Sequence, residues 1–186
     1  MKPSIKIALV CSVISIGFTM AFYYAGKYEE GYAASPFINL FLLLTAIAGG
    51  VFMFKKKDNF ADRSFLEDIK QSMQGGILFT IFVSLFVYYY HTNIDTSIID
   101  TKVEGLLELS NDNVPDEVTY KKLQKEDAIT WGDKTYMDYK ENQEDTVRSM
   151  VSATAFALVH VVVGMLLTLF FSIFVTLILR KVVLRQ

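Results

Sequence analysis

The run VSATAFALVHVVVGMLLTLFFSIFVTLIL, residues 151–179, contains no Asp, Glu, Lys or Arg. A helix needs about 20 mostly apolar residues to cross the hydrocarbon of a bilayer, so this stretch alone points away from a small soluble fold. Three further runs lack those charged residues: 7–26, 36–54 and 73–90. The chain of 186 residues is 52% hydrophobic, with a mean hydropathy of +0.33. That composition is too apolar for an ordinary water-soluble domain of this size. The expected fold class is an all-α integral membrane protein. It has four transmembrane helices and a helical extracytoplasmic insertion between helices 3 and 4.

The expected organisation follows from those runs. Residues 1–54 form a transmembrane hairpin with spans at 7–26 and 36–54. Residues 55–72 form a cytoplasmic basic loop with an amphipathic helix, 73–90 the third span, and 91–150 an acidic outer segment. Residues 151–186 hold the fourth span and a basic C-terminus. The first run resembles a secretory signal, since Lys2 and Lys6 precede it, but Tyr23 and Tyr24 stand where a cleavage site wants small residues. A retained span is the expectation.

Orientation comes from the lysines and arginines of the short flanking segments, which favour the cytoplasmic side. Lys2 and Lys6, then Lys55, Lys56, Lys57, Arg63 and Lys70, then Arg180, Lys181 and Arg185 lie in three segments that four spans place on one side. The loop between the first two spans holds only Lys27. Both termini are therefore expected in the cytoplasm. Tyr23, Tyr24, Tyr28 and Tyr32, and Tyr88, Tyr89 and Tyr90, crowd the opposite ends of the spans. Their amphipathic rings suit that boundary.

Within SFLEDIKQSM, Ser64 and Glu67 have the spacing of a capping box, and Phe65, Leu66, Ile69 and Met73 recur with helical period. The pattern predicts an interfacial helix leading into the third span, with Asp68 and Lys70 off its apolar face. Lys55, Lys56 and Lys57 are the expected contacts for anionic lipid, alongside their role in setting topology.

The segment 91–150 carries 14 Asp and Glu against 7 Lys and Arg. Ile98, Ile99, Val103, Leu106 and Leu107 give one helical stripe. Asn113, Val114 and Pro115 read as the cap and first turn of a second helix through DEVTYKKLQ. After TWGD, residues 134–150 contain neither Gly nor Pro and are expected to extend the last span outward. Val103, Leu106, Leu107, Val118, Leu123, Ile129, Trp131, Tyr136 and Tyr139 are the expected small core of this segment, or else its partner surface.

The chemistry is narrowed by what the spans lack. Ion-coupled transport uses titratable groups at depth, and the four runs contain no acidic or basic side chain besides His160. Phosphate-loop, His-Glu-x-x-His and Gly-x-Ser-x-Gly patterns are missing. Two histidines and one cysteine make a protein-built zinc site a poor fit. No enzyme activity and no cofactor or metal are expected. The formal charge of −2 draws no nucleic acid.

Small residues are the positive signal. Gly17, Ala21 and Ala25 repeat every four residues in the first span, Ala46 and Gly50 in the second, and Ala153 and Ala157 in the fourth. Such faces let helices approach closely, within the chain or in assembly with a second one. His91 and His160 fall at one predicted level near the outer boundary and form a candidate pH-sensing pair.

The order of parts, with SFLEDIKQSMQGG entering the third span and GMLLTLFFSIFVTLILRK as the last, resembles a family of small bacterial inner-membrane proteins known as domain of unknown function 4199. The resemblance implies four spans and brings no catalytic residues. The leading functional expectation is a non-enzymatic accessory or scaffold protein acting through protein–protein contacts, with a protein partner or a homo-oligomer. The runner-up is a small transporter or channel-like protein for a neutral or lipidic substrate. An outer-face enzyme using His91 and His160 comes third.

Overall fold

The computed structural model describes residues 2–57, 59–61 and 64–183, and for Val183 the backbone only. Arg63 and Arg185, counted above for orientation, lie outside the described residues. The described chain is all-helical: α1 (Pro3–Tyr24), α2 (Tyr28–Lys57), α3 (Phe65–Asn93), α4 (Ser97–Asn113), α5 (Glu117–Glu126), α6 (Ala128–Trp131), α7 (Tyr136–Met150) and α8 (Ala153–Val183). Helices α1, α2, α3 and α8 are each long and apolar enough to cross a membrane. The protein is multi-pass by that criterion.

Local chemistry sets the ends of these helices. Pro3 opens α1, where its fixed φ suits the first turn and its missing N–H costs nothing. Gly26 closes α1 at φ +69°. Gly26 N–H donates to the Tyr23 carbonyl and Lys27 N–H to that of Phe22, the paired bonds of a Schellman turn that a left-handed glycine permits. Helix α2 carries Glu29 and Glu30 in its first turn and Lys55, Lys56 and Lys57 in its last, both favourable to its dipole.

Two expectations about helix boundaries are corrected. The amphipathic stretch after Ser64 is no separate interfacial helix: it is the first two turns of α3, capped where the Glu67 N–H donates to Ser64 Oγ. Nor does the 134–150 stretch run on into the last span. Val151 leaves the helical region at φ −110° and ψ 65°, and Ser152 Oγ accepts the Ala155 N–H as the cap of a new helix. A serine whose hydroxyl replaces a missing backbone partner breaks a helix without Gly or Pro.

The chain divides into two compact units, residues 1–87 with 157–186, and residues 88–156. The first has a core of Ala8, Cys11, Leu42, Leu43, Ala46, Ile47, Val51, Phe79, Val83 and Val175. Large apolar side chains such as Phe37, Phe41, Leu166, Phe170 and Phe174 are exposed on it. Helices apolar on the inside and the outside alike are what a hydrocarbon solvent selects.

The second unit inverts that arrangement. Its core is Val114, Tyr120, Trp131 and Tyr139, with Leu123 and Tyr136 packed against them, while Val103 and Val147 are also buried. Leu106, Val118 and Ile129, expected in this core, are exposed. The second helix is capped by Asp116, whose carboxylate accepts the Thr119 N–H at 2.7 Å, and not by Asn113, which ends α4.

Candidate functional site

The buried face of α3 steps every four residues through Asp68, Ser72, Gly76, Thr80 and Ser84, and the facing row of α8 runs through half-buried Gly164 and buried Thr168, Ser172 and Thr176, with Arg180 one step beyond. The two rows face each other in antiparallel register. A Cβ on Gly76 would meet Thr168 Cγ2 at 2.5 Å, and one on Gly164 would meet Thr80 Cγ2 at 2.5 Å. Ser72 Oγ donates to the Ile69 carbonyl at 2.9 Å and reaches the Ser172 carbonyl at 3.4 Å. Small and hydroxyl side chains here permit the close approach that drives association in lipid.

This seam ends in charge. Asp68 is completely buried, and its Oδ2 lies 2.8 Å from Lys55 Nζ and 3.1 Å from Arg180 Nη1. The Lys55 contact is an ion pair without hydrogen-bond alignment, whereas Arg180 donates a hydrogen bond. Lys55 is itself 6% exposed, and the Arg180 guanidinium lies over the Phe65 ring at 5.9 Å. Among the described residues, Asp68 thus ties the ends of three helices together. Asp68 Oδ1, also buried, accepts no hydrogen bond among the described residues. Removing one member of such a cluster leaves an uncompensated buried charge, at a cost of about 3–5 kcal/mol.

Two sequence expectations change here. Asp68, expected away from the packed face, is instead its most buried ionic group. Lys55 is turned inward to Asp68 and is not available to lipid, while Lys56 and Lys57 are exposed. A signal for Asp68 did exist: it shares the four-residue step of Ser72, Gly76, Thr80 and Ser84.

The small-residue faces divide similarly. Ala46 and Gly50 are buried, Gly50 close against Ser4, and Ala153 and Ala157 are half-buried. Gly17, Ala21 and Ala25 are exposed, and nothing lies within 4 Å of a Cβ built on Gly17. That stripe does not pack the chain on itself. The buried face of α1 consists instead of Ser4, Ala8, Cys11, Ser12 and Ser15, and Ser15 Oγ donates to Asn39 Oδ1 of α2. Counting serine and threonine with glycine and alanine reveals both faces.

The histidines fall in separate units. In residues 88–156, His91 is buried with its ring 5.2 Å from those of Tyr90 and Phe156, and its Nδ1 lies 3.4 Å from the Asp95 carbonyl. His160 is half-buried on α8 in the other unit. No group of three or more His, Cys, Asp or Glu that could hold a metal occurs among the described residues.

The 88–156 unit is held by aromatic rings with polar tips. Tyr120 Oη donates to the Lys134 carbonyl at 2.9 Å, and Gln124 Nε2 lies within 3.1 Å of the carbonyls of Trp131, Gly132 and Lys134. These bonds fasten the turn after α6 to α5. Burial pushes the Tyr120 phenol up, with the nearby Asp138 charge and Tyr139 adding to it. Asp138 is held below the usual carboxylate range by the Thr135 N–H, its partner in the capping box of α7.

Comparison with family models, curated proteins and solved structures found no match to this chain. The resemblance drawn from the order of segments stands on that order alone.

Proposed function

We propose that the protein is a non-enzymatic accessory or scaffold component of a bacterial inner membrane. In this reading both termini are cytoplasmic, residues 88–156 are extracytoplasmic, and the protein acts through protein–protein contacts. The observation that carries it is the surface of the 88–156 unit. In a segment otherwise rich in charge, Val118 is 66% exposed, Met137 72% and Ile129 fully. Met137 lines an open groove with Tyr120, Gln124 and Lys134. Apolar side chains left in water on a small structured unit suit a partner surface.

The runner-up, a transporter or channel-like protein for a neutral or lipidic substrate, meets an obstacle in the seam. At Gly76 and Gly164 the side chains of Thr168 and Thr80 already stand where a methyl group would go, so the two helices pack without a gap there. The orientation draws support from the charge cluster, which gathers the C-terminal ends of α2 and α8 and the N-terminal end of α3 at one place, as alternating spans require.

Photo-crosslinking tests the reading. A benzophenone amino acid at Ile129 or Met137 of the full chain, irradiated in native membranes, should give discrete adducts. The same group at exposed Glu141 should not. Absence of adducts from both apolar positions, or equal labelling from Glu141, would overturn the proposal.

A further inference from the structure

On α4 the exposed Gly105 is followed at three, four and seven residues by exposed Glu108, Leu109 and Asp112. On α5 the exposed Val118 is followed at the same intervals by exposed Lys121, Lys122 and Lys125. Those intervals gather each set on one helix face. We propose that the α4 face of one copy of this chain docks on the α5 face of a second copy. Glu108 and Asp112 meet Lys122 and Lys125, and Leu109, 60% exposed, meets Val118. The pairing names the partner in the protein–protein reading above and depends on that reading.

Packing within the chain does not account for the α4 face. A glycine inside a helix costs stability relative to alanine, yet a Cβ on Gly105 would meet nothing within 4 Å. A second helix passing close gives the glycine a use. Asp112 stands in the last turn of α4, where the helix dipole disfavours a carboxylate. Among the described residues Glu108, Asp112, Lys122 and Lys125 make no ion pair, whereas Lys121 is held by Glu117 at 2.9 Å. Helix α4 carries four carboxylates against Lys102 alone, and α5 three lysines against two glutamates. One chain thus presents two faces of opposite sign, each the complement of the other on a second copy. A contact between helices of 17 and 10 residues is smaller than the roughly 1,200 Å² of a stable soluble complex. The spans hold copies in one bilayer, and that confinement raises their effective concentration.

The test uses the full chain with a donor or an acceptor fluorophore at its C-terminus, in palmitoyl-oleoyl phosphatidylcholine vesicles at low salt. Energy transfer is read across a series of lipid dilutions. Glu108→Lys with Asp112→Lys makes both faces basic, and Lys122→Glu with Lys125→Glu makes both acidic. Each double variant alone should self-associate at least about tenfold more weakly than wild type. An equal mixture of the two sets a basic α4 face against an acidic α5 face and should restore most of the wild-type transfer, which a misfolded variant could not do. Gly105→Leu fills the α4 face without changing its charge, and should weaken association while the Trp131 unfolding transition stays in place. No self-association of wild type, wild-type association in either double variant, or no recovery in the mixture would overturn the pairing. Benzophenone adducts from Ile129 or Met137 to a different protein would then still support the scaffold reading, so the two failures are told apart.

Discussion

Along α3 and α8 the packed row is Ser72, Gly76, Thr80 and Ser84 against Gly164, Thr168, Ser172 and Thr176, whereas in residues 88–156 the buried row is Val114, Tyr120, Trp131 and Tyr139. The first row has almost no side-chain area to bury; the second has a great deal. Water rewards the burial of large rings, each removing roughly 150–250 Å² from solvent. Lipid gives no such reward, because the surrounding tails are as apolar as leucine, so backbone approach and hydrogen bonding take over. Polar groups serve differently as well. In the seam they are the contact itself, and in the 88–156 unit they fasten loops around an aromatic centre.

The chain supplies its own reporter for separating the two. Trp131 is its only tryptophan, so indole emission follows the 88–156 unit while circular dichroism follows every helix. The largest effect is expected from Asp68→Ala, which leaves buried Lys55 without its carboxylate and takes one partner from Arg180. Unfolding in mixed micelles should show a loss of about 3–5 kcal/mol by dichroism, with the Trp131 transition unmoved. A coincident shift of both signals would show that the units unfold as one.

Overpacking comes next. Gly164→Val places carbon where Thr80 already stands, and should cost about 1–3 kcal/mol. Gly17→Ala meets open space, and should be neutral or stabilise α1 by up to about 1 kcal/mol. A comparable loss in both variants, read by dichroism in the same micelles, would erase the distinction between a packed face and an open one.

The four spans were legible because each apolar run is as long as a bilayer is thick, a signal that needs no tertiary information. The seam was only half legible. Glycine and alanine mark only part of it, and the hydroxyl residues of the same four-residue step complete it. Asp68 is harder to read for a further reason: its partners lie 13 residues before it and 112 after it, and no local pattern announces a carboxylate buried by such distant cations. In the 88–156 unit apolarity alone groups Ile129 and Val118 with the aromatic residues of the core. What exposes those two is their place on short helices, where one face has to meet solvent. The stop at Val151 rests on a serine cap, which composition does not flag.

The smaller effects concern the start of α7, where Thr135 Oγ1 accepts the Asp138 N–H and Asp138 accepts the Thr135 N–H at 2.7 Å. Thr135→Ala should lower the stability of the 88–156 unit by about 1 kcal/mol, read by Trp131 emission.

Asp138→Asn isolates the charge in that cap, and its effect is defined by pH. The Thr135 N–H holds the folded carboxyl below its ordinary value of 3.8. The unfolded chain therefore binds the proton more readily, and the charged form stabilises the fold wherever pH exceeds the ordinary value. That contribution is fully present at neutral pH. It declines as pH falls through the ordinary value and is gone below the lowered folded value. The stability gap between wild type and Asp138→Asn, measured by Trp131 emission, should be constant from neutral pH down to about pH 5 and close in stronger acid. A gap that stayed constant into strong acid would mean that the cap acts through shape and hydrogen bonding alone. That outcome would set this cap further apart from the Asp68 cluster, whose contacts are ion pairs.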